Sequence, residues 1–233
     1  MTAASFGAIM SIDTANLDNL EYLAIGAALS LFIAVMALIF GTLLGVVGAM
    51  GKLSKKRIPR YIATTYVEIF RGTPMLLQII FFFVALPLLV KSITGVRWTP
   101  EPVFIGILAL TINSGAYSTE LIRSGIQGID KGQTEAARSL GLSQWQTMRF
   151  IILPQAFKRI VPPMVSEFIV LIKDSSLVSI IGVYELMKRS RAIGARTYDA
   201  VTPLLLAGGL YLIMTLTISA FARRLERKLH ESD

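Results

Sequence analysis

Long uncharged runs alternate with short basic segments along this 233-residue chain. No Asp, Glu, Lys or Arg occurs from Tyr22 to Gly51, from Gly72 to Val90, from Pro102 to Thr119 or from Ala200 to Ala222. A fifth apolar stretch, Ile160 to Tyr184, is interrupted by Glu167, Lys173 and Asp174. A helix needs about 20 predominantly apolar residues to cross a bilayer. The pattern therefore predicts an all-α membrane protein, a single transmembrane domain over 1–233 with helices at about 20–51, 59–90, 102–126, 158–184 and 200–222. The first run is too long for the apolar core of a signal peptide and comes after an acidic head, Asp13, Asp18 and Glu21. It carries Gly41, Gly45 and Gly48, small residues at helical spacing that let a second helix come close.

The one long hydrophilic stretch, 127–157, also reads as helix. Glu135 to Leu140 favours helix, Gly141 interrupts it, and Ser143 is placed to cap a second helix over Gln144 to Leu153 that Pro154 closes. Trp145, Met148, Ile151 and Ile152 recur at helical spacing and predict a sticky face.

Composition agrees with the membrane reading. Hydrophobic residues make up 54% of the chain and charged ones only 16%, with a mean hydropathy of +0.63, against roughly 25% charged in an average soluble domain. The net charge of +8 is mostly topology. Lys52, Lys55, Lys56, Arg57 and Arg60 come after the first helix, and Arg123, Lys131, Arg138, Arg149, Lys158 and Arg159 lie between the third and fourth. Arg223, Arg224, Arg227 and Lys228 close the chain. With five alternating helices these cations share one side, which the positive-inside rule makes cytoplasmic. The N-terminus is then outside and the C-terminus cytoplasmic; Lys188 to Arg196 form a basic cluster on the other side that strains the rule. Basic runs that flank membrane helices give no support to nucleic-acid binding.

The inventory for catalysis is thin. There is no Cys, the sole His, His230, lies in the charged tail, and no nucleophile–base pair is visible. Gly48 to Leu53 comes nearest to a phosphate loop, but Val46 stands where its first Gly belongs and Leu53 where Ser or Thr would hold magnesium. An ion-coupled transporter or channel subunit, or an Asp/Glu membrane enzyme, remains as an alternative, although no internal repeat supports the former.

Charges at membrane depth are costly and need a partner or a task. Glu68 and Arg71 are three apart, as are Glu120 and Arg123, so each pair can meet on one helical face. Glu167 and Asp174, with Lys173 beside them, share a face of the fourth helix. These residues are candidates for a substrate path, with carboxylates for an ammonium group. Helices broken at Pro74, Pro87 and Pro162-Pro163 would offer backbone groups for a carboxylate.

The spacing Glu135-Ala136-Ala137, then Gly141, Ile151 and Leu153-Pro154, resembles the EAA motif of bacterial ABC importer membrane subunits. Glu68 to Pro74, Ile112 to Tyr117 with Glu120 and Arg123, Gly132-Gln133, Lys173 to Leu177 and Arg223 to Arg227 resemble the polar amino acid branch of that family. Val165-Ser166 departs from the Gly-Asn often found there.

The resemblance implies a type I ABC importer permease fold, paired with itself or a paralogue and bound to two ATPase subunits. It implies an extracytoplasmic amino-acid-binding protein, no cofactor in this chain, and ATP with magnesium in the partner ATPase. It implies alternating access, with Glu135 and Arg138 contacting the ATPase, Ala136 and Ala137 permitting close approach and Gly141 supplying a turn. Leu153 and Pro154 would anchor the segment to the fourth membrane helix. A glutamine-like substrate stands slightly ahead of arginine, lysine or histidine, towards which Glu167 leans.

Overall fold

The computed structural model describes residues 3–230, and side chains from Asp18 onward except at 225, 226 and 228–230. The side chains of Asp13, Leu225, Glu226, Lys228 and His230, which the charge pattern and the tail motif include, lie outside the described set. The described residues form helices only: α1 (Ala3–Leu53), α2 (Arg57–Arg71), α3 (Met75–Thr94), α4 (Pro102–Gln127), α5 (Lys131–Ser139), α6 (Gln144–Thr147), α7 (Leu153–Asp174), α8 (Leu186–Thr197) and α9 (Val201–His230). A π-helical turn, Met148–Ile152, joins α6 to α7, and a 3₁₀ helix, Ser175–Ile181, comes after α7.

The stretch expected as one helix over 59–90 is two. α2 ends at Gly72, whose N–H bonds Glu68 O, and Pro74 in extended conformation starts α3. Pro74 lacks the N–H that would continue the helix and pushes Thr73 out of the α region. Two carbonyls freed at this joint are capped from inside the bundle. Gln78 Nε2 donates to Phe70 O (2.9 Å) and Thr73 O (3.1 Å), and Asn113 Nδ2 donates to Phe70 O (3.1 Å) and to Gln78 Oε1 (3.0 Å). The expectation that Pro74 leaves backbone groups open is thus corrected at these carbonyls. Pro87 and Pro162-Pro163 do not break their helices, since α3 and α7 run through them. The stretch 158–184 is not one helix either: α7 ends at Asp174 and Gly182, at φ 94°, ends the 3₁₀ turn.

α1 and α4 run parallel in close contact. Gly41 faces Ser114, Gly45 faces Ser118 and Gly48 faces Thr119, with Ser114, Ser118 and Thr119 fully buried. The glycine row thus serves the close approach its spacing suggested. α4 runs antiparallel to α7, because Gly125 meets Ile160 while Gly106 at the other end meets Val178. Ile33, Ala37, Ile79, Ile105, Leu110, Ile172 and Val178 form the main core between these helices.

Three helices among the described residues are long and apolar enough to span a membrane by composition: Asp18–Leu53 within α1, Met75–Thr94 and Val201–Arg224. α4 falls short because it carries polar groups on a face turned to protein, such as Asn113, Ser114, Ser118 and Thr119, and α7 because it carries Lys158, Arg159, Glu167, Lys173 and Asp174. At the end away from Lys52, α8 packs on α1 and α9 around Leu23, Leu186, Ile193 and Ala207. Three of its four basic residues have partners among the described residues: Arg189 lies over the Tyr22 ring (4.3 Å) and Lys188 over Tyr184 (5.8 Å), while Arg196 donates to Asn19 Oδ1 (2.7 Å). Asp199 caps α9, and the hydroxyl and N–H of Thr202 with the N–H of Val201 hold its carboxyl below the usual carboxylate range.

Candidate functional site

The hydrophilic segment between α4 and α7 is built from two capped helical pieces and a glycine turn. Asp130 Oδ1 accepts from Gly132 N (2.6 Å) and starts α5. Gly141 lies at φ 85°, the left-handed region, and lets Leu142 N reach back to Ala137 O (3.1 Å). Arg138 Nη1 staples the same turn through Leu142 O (2.7 Å). Ser143 then closes a capping box with Gln146, each side chain satisfying the other's backbone N–H.

The expected sticky face divides. The α pattern of the second helix gives way after Thr147 to a π turn that inserts an extra residue, and the helix continues through it into α7. Ile152 is buried with Ile129 and Ala156, and Ile151 packs against them. Trp145 faces outward at 63% exposure, with Phe150 at 58% and Leu140 at 81%. The Arg149 guanidinium sits over both rings, 4.9 Å from Trp145 and 5.6 Å from Phe150.

Ala137 is buried, while Glu135, Ala136 and Arg138 are exposed on α5. Leu153 and Pro154 do not close this segment; the backbone stays right-handed helical through the π turn into α7, and Pro154, which has no N–H to donate, comes just after that turn. The Arg159 guanidinium donates to Gly128 O and ties α7 to the end of α4. A hollow of about 460 Å³ remains between Ile126, Ile129, Thr134, Met148 and Ile152.

The charged residues expected at membrane depth form two groups. At the end near Lys52, Glu120 accepts from Arg123 Nε (2.9 Å) and Nη2 (2.6 Å) and forms a second ion pair with Lys52. The local pair expected from sequence is present, but Lys52, read only as a topology marker, is its second partner. Glu68 and Arg71 do not pair among the described residues. Arg71 lies 5.1 Å from the Tyr117 ring instead. Glu167, on α7, sits against Ser114 within the electrostatic reach of both Arg71 and Asp174. The structure therefore gathers Arg71 from α2, Ser114 and Tyr117 from α4, and Glu167 and Asp174 from α7. A guanidinium near the Glu167 carboxylate, with the Asp174 carboxylate on the far side of Glu167 beside Lys173, can meet a molecule that carries both an ammonium and a carboxylate. Lys173, next to Asp174, is exposed.

Several structural residues escaped the sequence reading. Gln78 and Asn113, which seal the α2–α3 joint, are lone amides in apolar runs, and that polarity was the available signal. Glu185 is fully buried and caps α8, accepting from Met187 N (2.9 Å) and Lys188 N (2.8 Å). It also accepts from Ser30 Oγ (3.2 Å) and Tyr211 Oη (2.9 Å), tying α1 and α9 to that cap. Tyr66 Oη donates to Ile112 O (2.5 Å) and fastens α2 to α4. The phosphate-loop-like stretch at Gly48 lies inside continuous α1 helix.

The family described as "Binding-protein-dependent transport system inner membrane component" matches residues 41–231. The arginine transport system permease protein ArtQ of Bacillus subtilis (strain 168) is 38% identical over 96% of this chain and 100% of its own. The glutamine transport system permease protein GlnP of Escherichia coli (strain K12) is 36% identical over 88% of this chain and 91% of its own. A crystal structure of an amino acid ABC transporter with histidines superposes with a TM-score of 0.85 at 35% identity, covering 92% of this chain and 97% of that one. The MetNI methionine ABC transporter in an inward-facing conformation, at 20% identity and a TM-score of 0.74, shares the fold.

Proposed function

The chain belongs to the binding-protein-dependent transport system inner membrane components, as an amino acid ABC importer permease of the inner membrane and not itself an enzyme; on that premise we propose that it crosses the membrane five times and couples to an ATPase through residues 127–157. α1, the bent α2–α3 unit, α4, α7 and α9 make the crossings. The N-terminus is outside, and Lys52, Glu120 and the hydrophilic segment face the cytoplasm. Two copies, or one copy and a paralogue, join two ATPase subunits that hold ATP and magnesium. A binding protein delivers substrate to the outer side, where α8 lies.

The observation that carries this reading is the exposed surface of Leu140, Trp145 and Phe150, held by the left-handed turn at Gly141 and the Ser143 capping box. Large apolar side chains kept outward by a fully capped, stapled turn fit a permanent protein partner. Glu135 and Arg138 flank that surface, Ala136 leaves room for close approach, and Ile151 and the start of α7 at Leu153 and Pro154 carry its movement into the membrane helices. ATP-driven closure of the ATPases then rocks α2, α4 and α7 between inward- and outward-facing arrangements. Along the path, Arg71 receives the substrate carboxylate and Glu167 with Asp174 the ammonium or a basic side chain. Glu68, Glu120 and Lys173 line the approach. A glutamine-like amino acid is the first candidate and arginine, lysine or histidine the second, in keeping with the names of the relatives.

The test is uptake by proteoliposomes holding the permease, its ATPase and its binding protein, with a competing panel of amino acids. Gly141→Val places a β-branched residue at positive φ, while Gly141→Asn keeps a residue that tolerates it. Valine should abolish substrate-stimulated ATP hydrolysis and co-purification of the ATPase, and asparagine should preserve both. Intact coupling with valine, or uptake driven by an ion gradient without ATPase, overturns the reading.

A further inference from the structure

An apolar groove of about 640 Å³ runs between α1 and α2, lined by Leu44, Val47, Met50, Pro59, Ile62 and Tyr66 among others. Its volume is within the range of small-molecule pockets, about 300–1,000 Å³. Tyr66 at its inner end is already bonded to Ile112 O, so little in the groove calls for a polar ligand. Eleven residues of the chain, from Leu44 to Ser54, make it about 15 Å long. Such a slot accepts a hydrocarbon chain end-on from the membrane surface.

The mouth has the opposite character. Ser54 and Pro59 line it, and between them lie Lys55, Lys56 and Arg57, all exposed and without an ion pair among the described residues. Arg60 adds a fourth cation, braced by hydrogen bonds to Ser54 O (3.1 Å) and Lys55 O (3.2 Å). No Asp or Glu occurs from Gly51 to Val67. Beside these cations, Ile58 at 75%, Tyr61 at 74% and Ile62 at 63% exposure turn an apolar and aromatic flank outward. Tyrosine with aliphatic side chains beside cations is the composition of a membrane interface.

We infer that this groove is a binding site for an acidic phospholipid, whose acyl chain lies between α1 and α2 and whose phosphate headgroup is held by Lys55, Lys56 and Arg57. The inference rests on the proposed function only in placing residues 54–60 at the cytoplasmic surface. A neutral lipid fits the same slot but leaves the cations unmatched. A protein partner would leave the groove without lipid in the assembled complex.

The full complex is placed in phosphatidylcholine nanodiscs that contain a trace of phosphatidylglycerol or phosphatidylcholine with a photoreactive acyl terminus, and adducts are mapped by mass spectrometry. Residues 44–66 should label more with phosphatidylglycerol, by about fivefold for each cation engaged. The preference should shrink in 1 M salt, where screening acts beyond about 3 Å. Lys56→Gln with Arg57→Gln, both at exposed positions, should lower the ratio to about fivefold, the share left to Lys55, while labelling of α3 and α9 is unchanged. Val47→Trp, from the groove wall, should remove labelling by both lipids. Equal labelling of the unaltered protein by the two tracers would overturn the inference, as would labelling of α3 and α9 but not of residues 44–66. ATP-driven uptake is read in parallel. Its loss with selectivity intact counts against the proposed transport function alone, and lost selectivity with uptake intact against the lipid site alone.

Discussion

Replacing Gly48 by alanine tests the close seam between α1 and α4. In an open helix the change stabilises by about 1 kcal/mol, because glycine loses more backbone entropy on folding. At this position the new Cβ overlaps Thr119 Oγ1 and comes within 3.0 Å of Thr119 Cγ2 and 3.1 Å of its Cβ. Thr119 is fully buried and its hydroxyl donates to Gly115 O at 2.7 Å, so it has no free direction in which to turn. Overpacking of this kind costs about 1–3 kcal/mol. Taking about 3 because rigid backbones lie on both sides, the net loss is about 2 kcal/mol. For a chain of this length that is a fall in Tm of about 4–8 °C.

The assay is thermal unfolding of the complex in detergent, read through Trp98 and Trp145, the only two tryptophans of the chain. Gly208→Ala on α9 is the internal control, since nothing lies within 4 Å of its added Cβ; its Tm should hold or rise by about 2–4 °C. Gly48→Ala combined with Thr119→Ala removes the worst overlap and should recover at least part of the loss. A rise in Tm for Gly48→Ala like that of the control would refute the seam.

Glu185→Ala leaves two backbone N–H groups and the Tyr211 hydroxyl without their acceptor. At about 1–3 kcal/mol per unsatisfied buried group it should be the most destabilising of these variants. Tyr211→Phe, which removes one donor, should cost about 1 kcal/mol, read from the same melting curves. Ser143→Ala breaks the capping box and should cost the segment about 1 kcal/mol, visible as faster amide exchange at Gln146 with α7 unchanged. Glu120→Ala deprives both Lys52 and Arg123, whereas Lys52→Met leaves the Glu120–Arg123 pair in place. Melting should therefore show the glutamate variant as the less stable of the two.

Charge-free length located α1, α3, α4 and α9, α4 almost to the residue. The same measure passed over the Gly72–Pro74 joint, because a missing N–H leaves no mark on hydropathy. α7 was legible only in outline: its polar face is turned to α4, and its end at Asp174 depends on the 3₁₀ turn beyond it. In the hydrophilic segment, local chemistry sufficed for α5, the Gly141 turn and the Ser143 cap. Pro154 misled, because a proline that ends a helix and a proline that follows a π turn within one look alike in sequence. Among the charges, Glu120 and Arg123 are neighbours on one helix, so spacing found them. Arg71 and Glu167 come from different helices, and no periodicity on either announces the other. Glu185 escaped for the same reason, since its side-chain partners Ser30 and Tyr211 lie on two further helices.

The amide pair Gln78 and Asn113 has a consequence for how the bundle moves. Phe70 O is held simultaneously from α3 and from α4, and Tyr66 adds a second tether from α2 to α4. The bend between α2 and α3 is therefore a pinned knuckle rather than a loose elbow. With two fastenings to α4, α2 is obliged to travel with it, and relative motion falls to the α3 side, where Gln78 is the only side-chain pin among the described residues. Trading Gln78 for an apolar residue would leave α2 fastened to α4 through Phe70 O and Tyr66 while freeing α3, and the Thr73 carbonyl, stripped of its Gln78 donor, adds a cost in stability.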